Sequence, residues 1–326
     1  MEENNTTTNS VTPLSFSVIN SYGENLTTKI YVTNPAIARE DELKKLMLVL
    51  LTPEKSGLLV GKPGIGKTAI VEGLAFAIQQ GNVPNALKEY QIYKFSSNSL
   101  TGSIEIDGRK ELIITLLMNE VSKMDKTILF IDEIHTLIGG NSENPLDLAN
   151  ILKPGLDRGV IKAIGATTTI EFDTYIIKDR AFLRRFERIN VAEPSEETTV
   201  KILIGTIPKI IKQTSVNFEY SNFIIEELMK SVVSATSEYK RIYGLSAMYP
   251  DVALSVLTNA FSEALFANRT SVTILDVYNA IRNSKRIYPD SIIKELKIFR
   301  EKFRLICEDL NIVLPEVHIE DIQEVE

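Results

Sequence analysis

A single cysteine and two histidines are all that this 326-residue chain holds for disulfide or zinc chemistry. Cys307 has no partner for an internal disulfide, which fits a reducing compartment. Its place in an apolar helical pattern reads as a buried, inert thiol. His135 and His318 lie too far apart for zinc-ligand spacing. No apolar run approaches the roughly 20 residues that a bilayer-spanning helix needs. The opening Met1-Glu2-Glu3-Asn4-Asn5 has neither the basic nor the apolar region of a secretion signal. We therefore expect a cytoplasmic protein without a membrane segment. Basic residues are outnumbered, 36 against 43 acidic, and the net charge of −7 argues against a broad nucleic-acid surface. The 44% hydrophobic content is that of a globular protein with a sizeable core, and the length suggests two domains or one with an appendage.

Against these absences stands Gly61-Lys62-Pro63-Gly64-Ile65-Gly66-Lys67-Thr68, which fits the phosphate-loop pattern GxxxxGK[ST]. A short apolar run, Ser56–Val60, precedes it, and Ile70, Val71, Leu74, Ala75 and Ile78 follow at helical spacing. Glycines let backbone N–H groups turn inward around phosphate oxygens, and the next helix presents its positive end to the same anion. Lys67 is positioned to reach the terminal phosphates of a nucleoside triphosphate, and Thr68 to ligate a magnesium ion. Sixty-four residues past Thr68, the buried-strand signature Ile128-Leu129-Phe130-Ile131 ends in Asp132-Glu133. At the carboxyl end of a parallel strand both carboxylates face the phosphate loop. Asp132 is then the second metal holder and Glu133 the group that polarises the attacking water. His135, two residues on, reads as a packing residue.

Strand-like runs at Gly57–Val60, Gln91–Phe95, Thr127–Ile131, Ile161–Ala166 and Arg188–Val191 alternate with helical stretches, including Glu40–Leu51, Arg109–Lys123 and Leu146–Leu152. Such alternation implies an α/β fold with a mainly parallel sheet and helices on both faces. After Pro194 only helical patterns follow, at Phe223–Ser234, Asp251–Leu265 and Ile274–Ser284. The expected organisation is a polar arm over 1–32, a nucleotide domain over 33–194 and a small helical lid over 195–286. Beyond it, at 287–326, lie an amphipathic helix and an acidic tail. Ile292, Leu296, Phe299, Phe303, Ile306 and Leu310 form a heptad-like seam on that helix, which packs on the lid or binds a partner.

Ala36-Ile37-Ala38-Arg39-Glu40, the loop Gly61–Thr68 with its continuation through Ala75, and Leu129–Thr136 together resemble AAA+ ATPases of the Clp unfoldase family, in particular its first ATPase domain. Leu152-Lys153-Pro154, Gly165-Ala166-Thr167-Thr168, Leu183-Arg184-Arg185-Phe186 and Val191–Ser195 extend the match. The resemblance implies an αβα phosphate-loop domain with a five-stranded parallel sheet, and a helical lid. It also implies roles for further residues. Thr168 becomes the polar sensor of the γ-phosphate, Arg184 and Arg185 the fingers that reach a neighbouring subunit's nucleotide, and Ile37 part of the adenine pocket. Fingers acting in trans imply a ring, most simply a homohexamer, that hydrolyses ATP to remodel or unfold a protein partner.

The chain also departs from that family. Where its pore loop carries Lys-Tyr-Arg-Gly, this sequence has Glu105-Ile106-Asp107-Gly108, acidic and without the aromatic grip. Val252 replaces the lysine of the Pro-Asp-Lys-Ala segment, no Gly-Ala-Arg sensor occurs, and no peptidase-docking Ile-Gly-Phe loop is evident. The arm is short for the family's amino-terminal substrate domain. These departures leave an alternative, a nucleotide-switched assembly or adaptor module that does not thread substrate.

Overall fold

The computed structural model describes residues 17–106, 109–139, 161–243 and 248–317. The stretch Leu146–Leu152, the motif Leu152-Lys153-Pro154, the loop residues Asp107-Gly108, His318 and the last acidic residues lie outside them.

Six strands form the main sheet: β1 (Glu24–Asn25), β2 (Ser56–Val60), β3 (Gln91–Ser96), β6 (Thr127–Asp132), β7 (Lys162–Thr167) and β8 (Phe186–Asn190). Their order is β1-β3-β6-β7-β2-β8. The last five are parallel, as expected, and the two-residue β1 adds an antiparallel edge to β3. Every residue of β2 and β7 is buried, because helices cover both faces and each strand must be apolar on both. Alternate residues feed two cores. Leu58, Val60, Leu129 and Ile131 face one layer, while Leu59, Ile128, Phe130 and Ile164 face the other. The register pairs Val60 with Thr167 and Ser96 with Asp132, so the central strands end together on one rim.

Two expectations are corrected. Arg109–Lys123 is not one helix. Arg109–Leu112 is strand β5, paired antiparallel with β4 (Ser103–Ile106), and the helix runs only from Ile113 to Val121. A neighbouring strand edge outweighs the helical preference of Arg109-Lys110-Glu111-Leu112, a contest that local pattern does not register. Nor is the stretch 1–32 a polar arm throughout. A short helix, α1 (Val18–Tyr22), buries Val18 and Ile19, and Leu26 is fully enclosed. Glu120 holds the start of α1, accepting from Ser17 Oγ at 2.5 Å and Val18 N at 2.8 Å.

Ser195 caps the helix Glu196–Thr214, the first of the lid, through its side chain. Helices Asn222–Ala235, Asp251–Phe266 and Ile274–Arg282 complete it. The final helix, Pro289–Asp309, belongs to the same core: Ile292, Leu296, Phe299, Phe303 and Cys307 are buried among lid residues. Ile306 of the seam is partly buried against that core, whereas Leu310 at its end is exposed. Burial raises the pKa of Cys307, in keeping with an inert thiol. The lid docks on the nucleotide domain through Glu193, whose carboxylate receives Arg241 Nη1 and Tyr249 N, both at 2.7 Å.

Ala38, just ahead of helix α2 (Glu40–Leu51), has φ +53°. A left-handed conformation costs a residue with a Cβ about 1–2 kcal/mol. Glycine removes that cost but has more unfolded-state entropy to lose, so Ala38→Gly should gain about 0.5–1 kcal/mol net. Chemical denaturation tests this, and a lower midpoint than wild type would refute the strain.

Candidate active site

The loop after β2 is shaped by contacts that exclude side chains. A Cβ on Gly61 would meet Ile65 Cδ1 at 2.2 Å and Val191 O at 2.4 Å. Gly64 and Gly66 take φ of +75° and +94°, and Gly66 opens helix α3 (Lys67–Gln79). The helix N-terminus and the loop amides thus converge on one point. Lys67 Nζ curls back to donate to Gly61 O at 2.8 Å and Lys62 O at 3.1 Å. Burial lowers its pKa, while Asp132, Glu171 and Glu133 act to raise it.

Asp132 and Glu133 are adjacent in sequence but differently committed. Asp132 Oδ2 accepts from Thr68 Oγ1 at 3.0 Å, and its Oδ1 accepts from Glu133 N at 3.1 Å. Glu133 is exposed, at φ +53°, a strained turn of the sort that collects at functional sites. One carboxylate is therefore fixed and the other left to work.

A cleft of about 440 Å³ holds Pro63, Gly64, Gly66, Lys67, Thr68, Asp132, Glu133 and Thr168 on its walls. A second cavity, about 510 Å³, shares Gly64 and Gly66 with it and continues between the domains past Ile37, Ile202, Thr206 and Leu254. Ile37 packs so closely on the lid that a Cβ on Gly205 would meet its Cδ1 at 2.4 Å. The two spaces together suit a polyanion joined to a flatter, more apolar group. Among the described residues no group of three or more His, Cys, Asp or Glu could hold a metal ion. Thr68 and Asp132 still fit Mg2+, which keeps several waters and binds through one or two protein oxygens plus phosphates.

Thr168 has its hydroxyl oxygen accepting from Glu171 N at 3.2 Å, and it lines the same cleft. Its neighbour Thr167 is buried at the end of β7, with Oγ1 3.2 Å from both Glu171 Oε2 and His135 Nδ1. His135 packs, as expected, with its ring stacked on Tyr175, but it also faces Glu171 Oε2 at 3.1 Å.

Arg184 and Arg185 lie at the other end of the sheet. Arg185 O accepts from Ser56 N, and Arg184 O from Lys55 Nζ, both at 2.8 Å. Gly61 lies five residues on from Ser56 along β2, about 16 Å at the rise of a strand. Neither guanidinium is brought to this chain's own phosphate loop. Arg184 is exposed, whereas Arg185 Nη1 donates to Ala181 O at 2.8 Å.

Arg39 was not singled out by sequence reasoning. Its guanidinium is buried and donates to Ile65 O at 2.8 Å, Ala192 O at 3.1 Å and Glu42 Oε1 at 2.8 Å. It thereby braces the phosphate loop against the end of β8 and the start of α2. The sequence signal was an arginine at a helix start with a glutamate three residues on.

Residues 57–193 match the family described as "ATPase family associated with various cellular activities (AAA)". The chain carries an AAA+ ATPase domain of the Clp type. Over 230 residues it is 38% identical to the chaperone protein ClpB of Porphyromonas gingivalis, covering 70% of this chain and 26% of that protein. The ClpB of Aquifex aeolicus is 41% identical over 229 residues, 70% and 22% of the two chains. The Bacillus subtilis ATP-dependent Clp protease ATP-binding subunit ClpE is 38% identical over 251 residues, 76% and 34%. The cryo-EM structure of Hsp104 with ATPγS and FITC-casein in its closed state superposes with a TM-score of 0.70 at 30% identity. That match covers 90% of this chain and 49% of Hsp104. The AAA+ chain thus spans about a quarter to a third of these curated relatives and about half of Hsp104. Among its described residues no helix is long and apolar enough to cross a membrane.

Proposed function

We propose that this chain binds and hydrolyses Mg-ATP as a ring, most simply a hexamer of identical subunits, and uses the cycle to remodel or unfold a protein partner in the cytoplasm. The observation that carries this reading is the Thr68–Asp132 contact at 3.0 Å in the mouth of the glycine loop, with the uncommitted carboxylate of Glu133 beside it. Lys67 releases the Gly61 and Lys62 carbonyls to pair with the terminal phosphates. Thr68 and Asp132 hold the magnesium ion, which neutralises phosphate charge when bound. Glu133 accepts the proton of the attacking water, and Thr168 donates its hydroxyl proton to the γ-phosphate. Ile37 and the lid close on the adenine. The distance of Arg184 and Arg185 from their own loop supports their acting on a neighbour's nucleotide, which in turn supports a ring.

Protein remodelling is favoured over a non-threading adaptor because the relatives include chaperones and because Hsp104 is seen with casein. The hairpin of β4 and β5, with Ile106 opposite Arg109, is the segment that we assign to the pore. Glu105 stands opposite Lys110 there, so its acidic charge has a basic neighbour across the strands. No peptidase or nucleic acid is part of this reading.

Binding is tested with Lys67→Ala. Loss of a charged hydrogen bond to phosphate is worth about 1.5–3 kcal/mol, so ATP affinity should fall roughly 10- to 100-fold in a fluorescence titration. Undiminished affinity would remove the loop from the site.

A further inference from the structure

Glu171 follows Thr168 by three residues, and the two form a capping box: Thr168 Oγ1 accepts from Glu171 N, and Glu171 Oε2 accepts from Thr168 N at 2.8 Å. The helix so capped starts at Thr169 and passes directly into the π-helical turns Phe172–Ile176. The same Oε2 does more. It lies 3.2 Å from Thr167 Oγ1 and 3.1 Å from His135 Nδ1. One oxygen therefore joins the end of β7, the segment carrying Thr168 and the turn that follows Glu133. Apart from Glu171, that turn is tied to β7 by Ile134 N donating to Ala166 O at 3.0 Å and by the contact of His135 Nδ1 with Thr167 Oγ1 at 3.2 Å. Glu171 also lines the cleft that holds Lys67, Asp132 and Glu133. Its carboxyl stays below the usual range because, although burial raises its pKa, hydrogen bonds from Thr168 and Thr167 and the nearby His135 outweigh that effect.

We propose that Glu171 is a positioning residue for the γ-phosphate end of the cleft, holding Thr168 and the Glu133–His135 turn in one fixed register. This rests on the Mg-ATP hydrolysis reading. Without the carboxylate, Thr168 N and Thr167 Oγ1 lose an acceptor, and the turn bearing Glu133 is held to β7 by the Ile134 backbone bond and the His135–Thr167 contact. A misplacement of about 1 Å at a reacting group costs about 100-fold in rate.

The test uses the full chain with Glu171→Ala and Glu171→Gln. It measures kcat and KM for ATP, and the magnesium-dependent affinities for ADP and for AMP-PNP, which needs no turnover. In Glu171→Ala, kcat should fall about 10- to 100-fold with KM nearly unchanged. Preference for AMP-PNP over ADP should shrink about tenfold while ADP affinity holds, because only the γ-phosphate end is disturbed. Glu171→Gln, whose amide oxygen can accept the same bonds from Thr168 and Thr167, should restore most of both. Unchanged turnover and preference in Glu171→Ala would overturn the proposal. So would an equal loss of ADP and AMP-PNP affinity, which would mark general support of the cleft. If wild type shows no turnover that Glu133→Gln removes, the hydrolysis reading fails, and the AMP-PNP/ADP ratio alone decides the role of Glu171.

Discussion

Glu133→Gln should cut ATP turnover by orders of magnitude while leaving ATP bound. The two side chains have the same shape, so the left-handed turn at φ +53° and the bond from residue 133 N to Asp132 Oδ1 survive the change. What disappears is a base, because an amide oxygen takes up no proton near neutral pH. A positioned base contributes about 10²–10⁴ in rate, and phosphate release should fall by that factor. Asp132 is a poorer candidate for the base. Both its oxygens are engaged, one by Thr68 Oγ1 and one by Glu133 N. Steady-state phosphate release together with an ATP-binding titration reads both halves of the prediction, and wild-type turnover in the variant would take the base away from Glu133.

Arg184→Ala lowers turnover by about a thousandfold or more, the scale of a guanidinium that stabilises charge on a transferring phosphoryl group. Arg185→Ala should cost less. Arg184 is exposed, whereas Arg185 already donates to Ala181 O. The strand register makes a sharper test possible. The backbones of each chain's arginines start roughly 16 Å along β2 from its own phosphate loop, so as fingers they would have to serve a neighbour. Mixing Arg184→Ala with Glu133→Gln should therefore recover turnover. The first supplies an intact base and the second an intact finger across a shared interface. Two variants that stay inactive when mixed, while still forming mixed rings by mass measurement, would rule out action in trans.

Much of this site was legible in the sequence because its chemistry is local. Gly61–Thr68 encodes strand, turn and helix start within a dozen residues, and the apolar run before Asp132 announces a buried strand end. The five parallel strands were legible for the same reason. A strand covered on both faces is apolar throughout, and β2, β6 and β7 have no other sequence solution. Reading failed where two weak local signals competed. Arg109–Leu112 has helical residues but a strand for a neighbour, and residues 17–26 look polar although Val18, Ile19 and Leu26 are core. The seam of the last helix was visible, and its simplest reading, packing on the lid, is what the structure shows, though the pattern alone left a partner open. A heptad pattern reports an apolar face and not its occupant.

The sequence by itself determined that a phosphate-loop motif and an adjacent aspartate and glutamate stand at the ends of parallel strands, since each follows from the pattern within a single element. Only the tertiary structure decided how those parts are held and which of them act. It put Arg39 on Ile65 O across 26 positions, drew His135 to Thr167 across 32 and set the arginines at the far rim. Such contacts depend on sheet order and register. Those are properties of the assembled fold, and no short window of residues contains them.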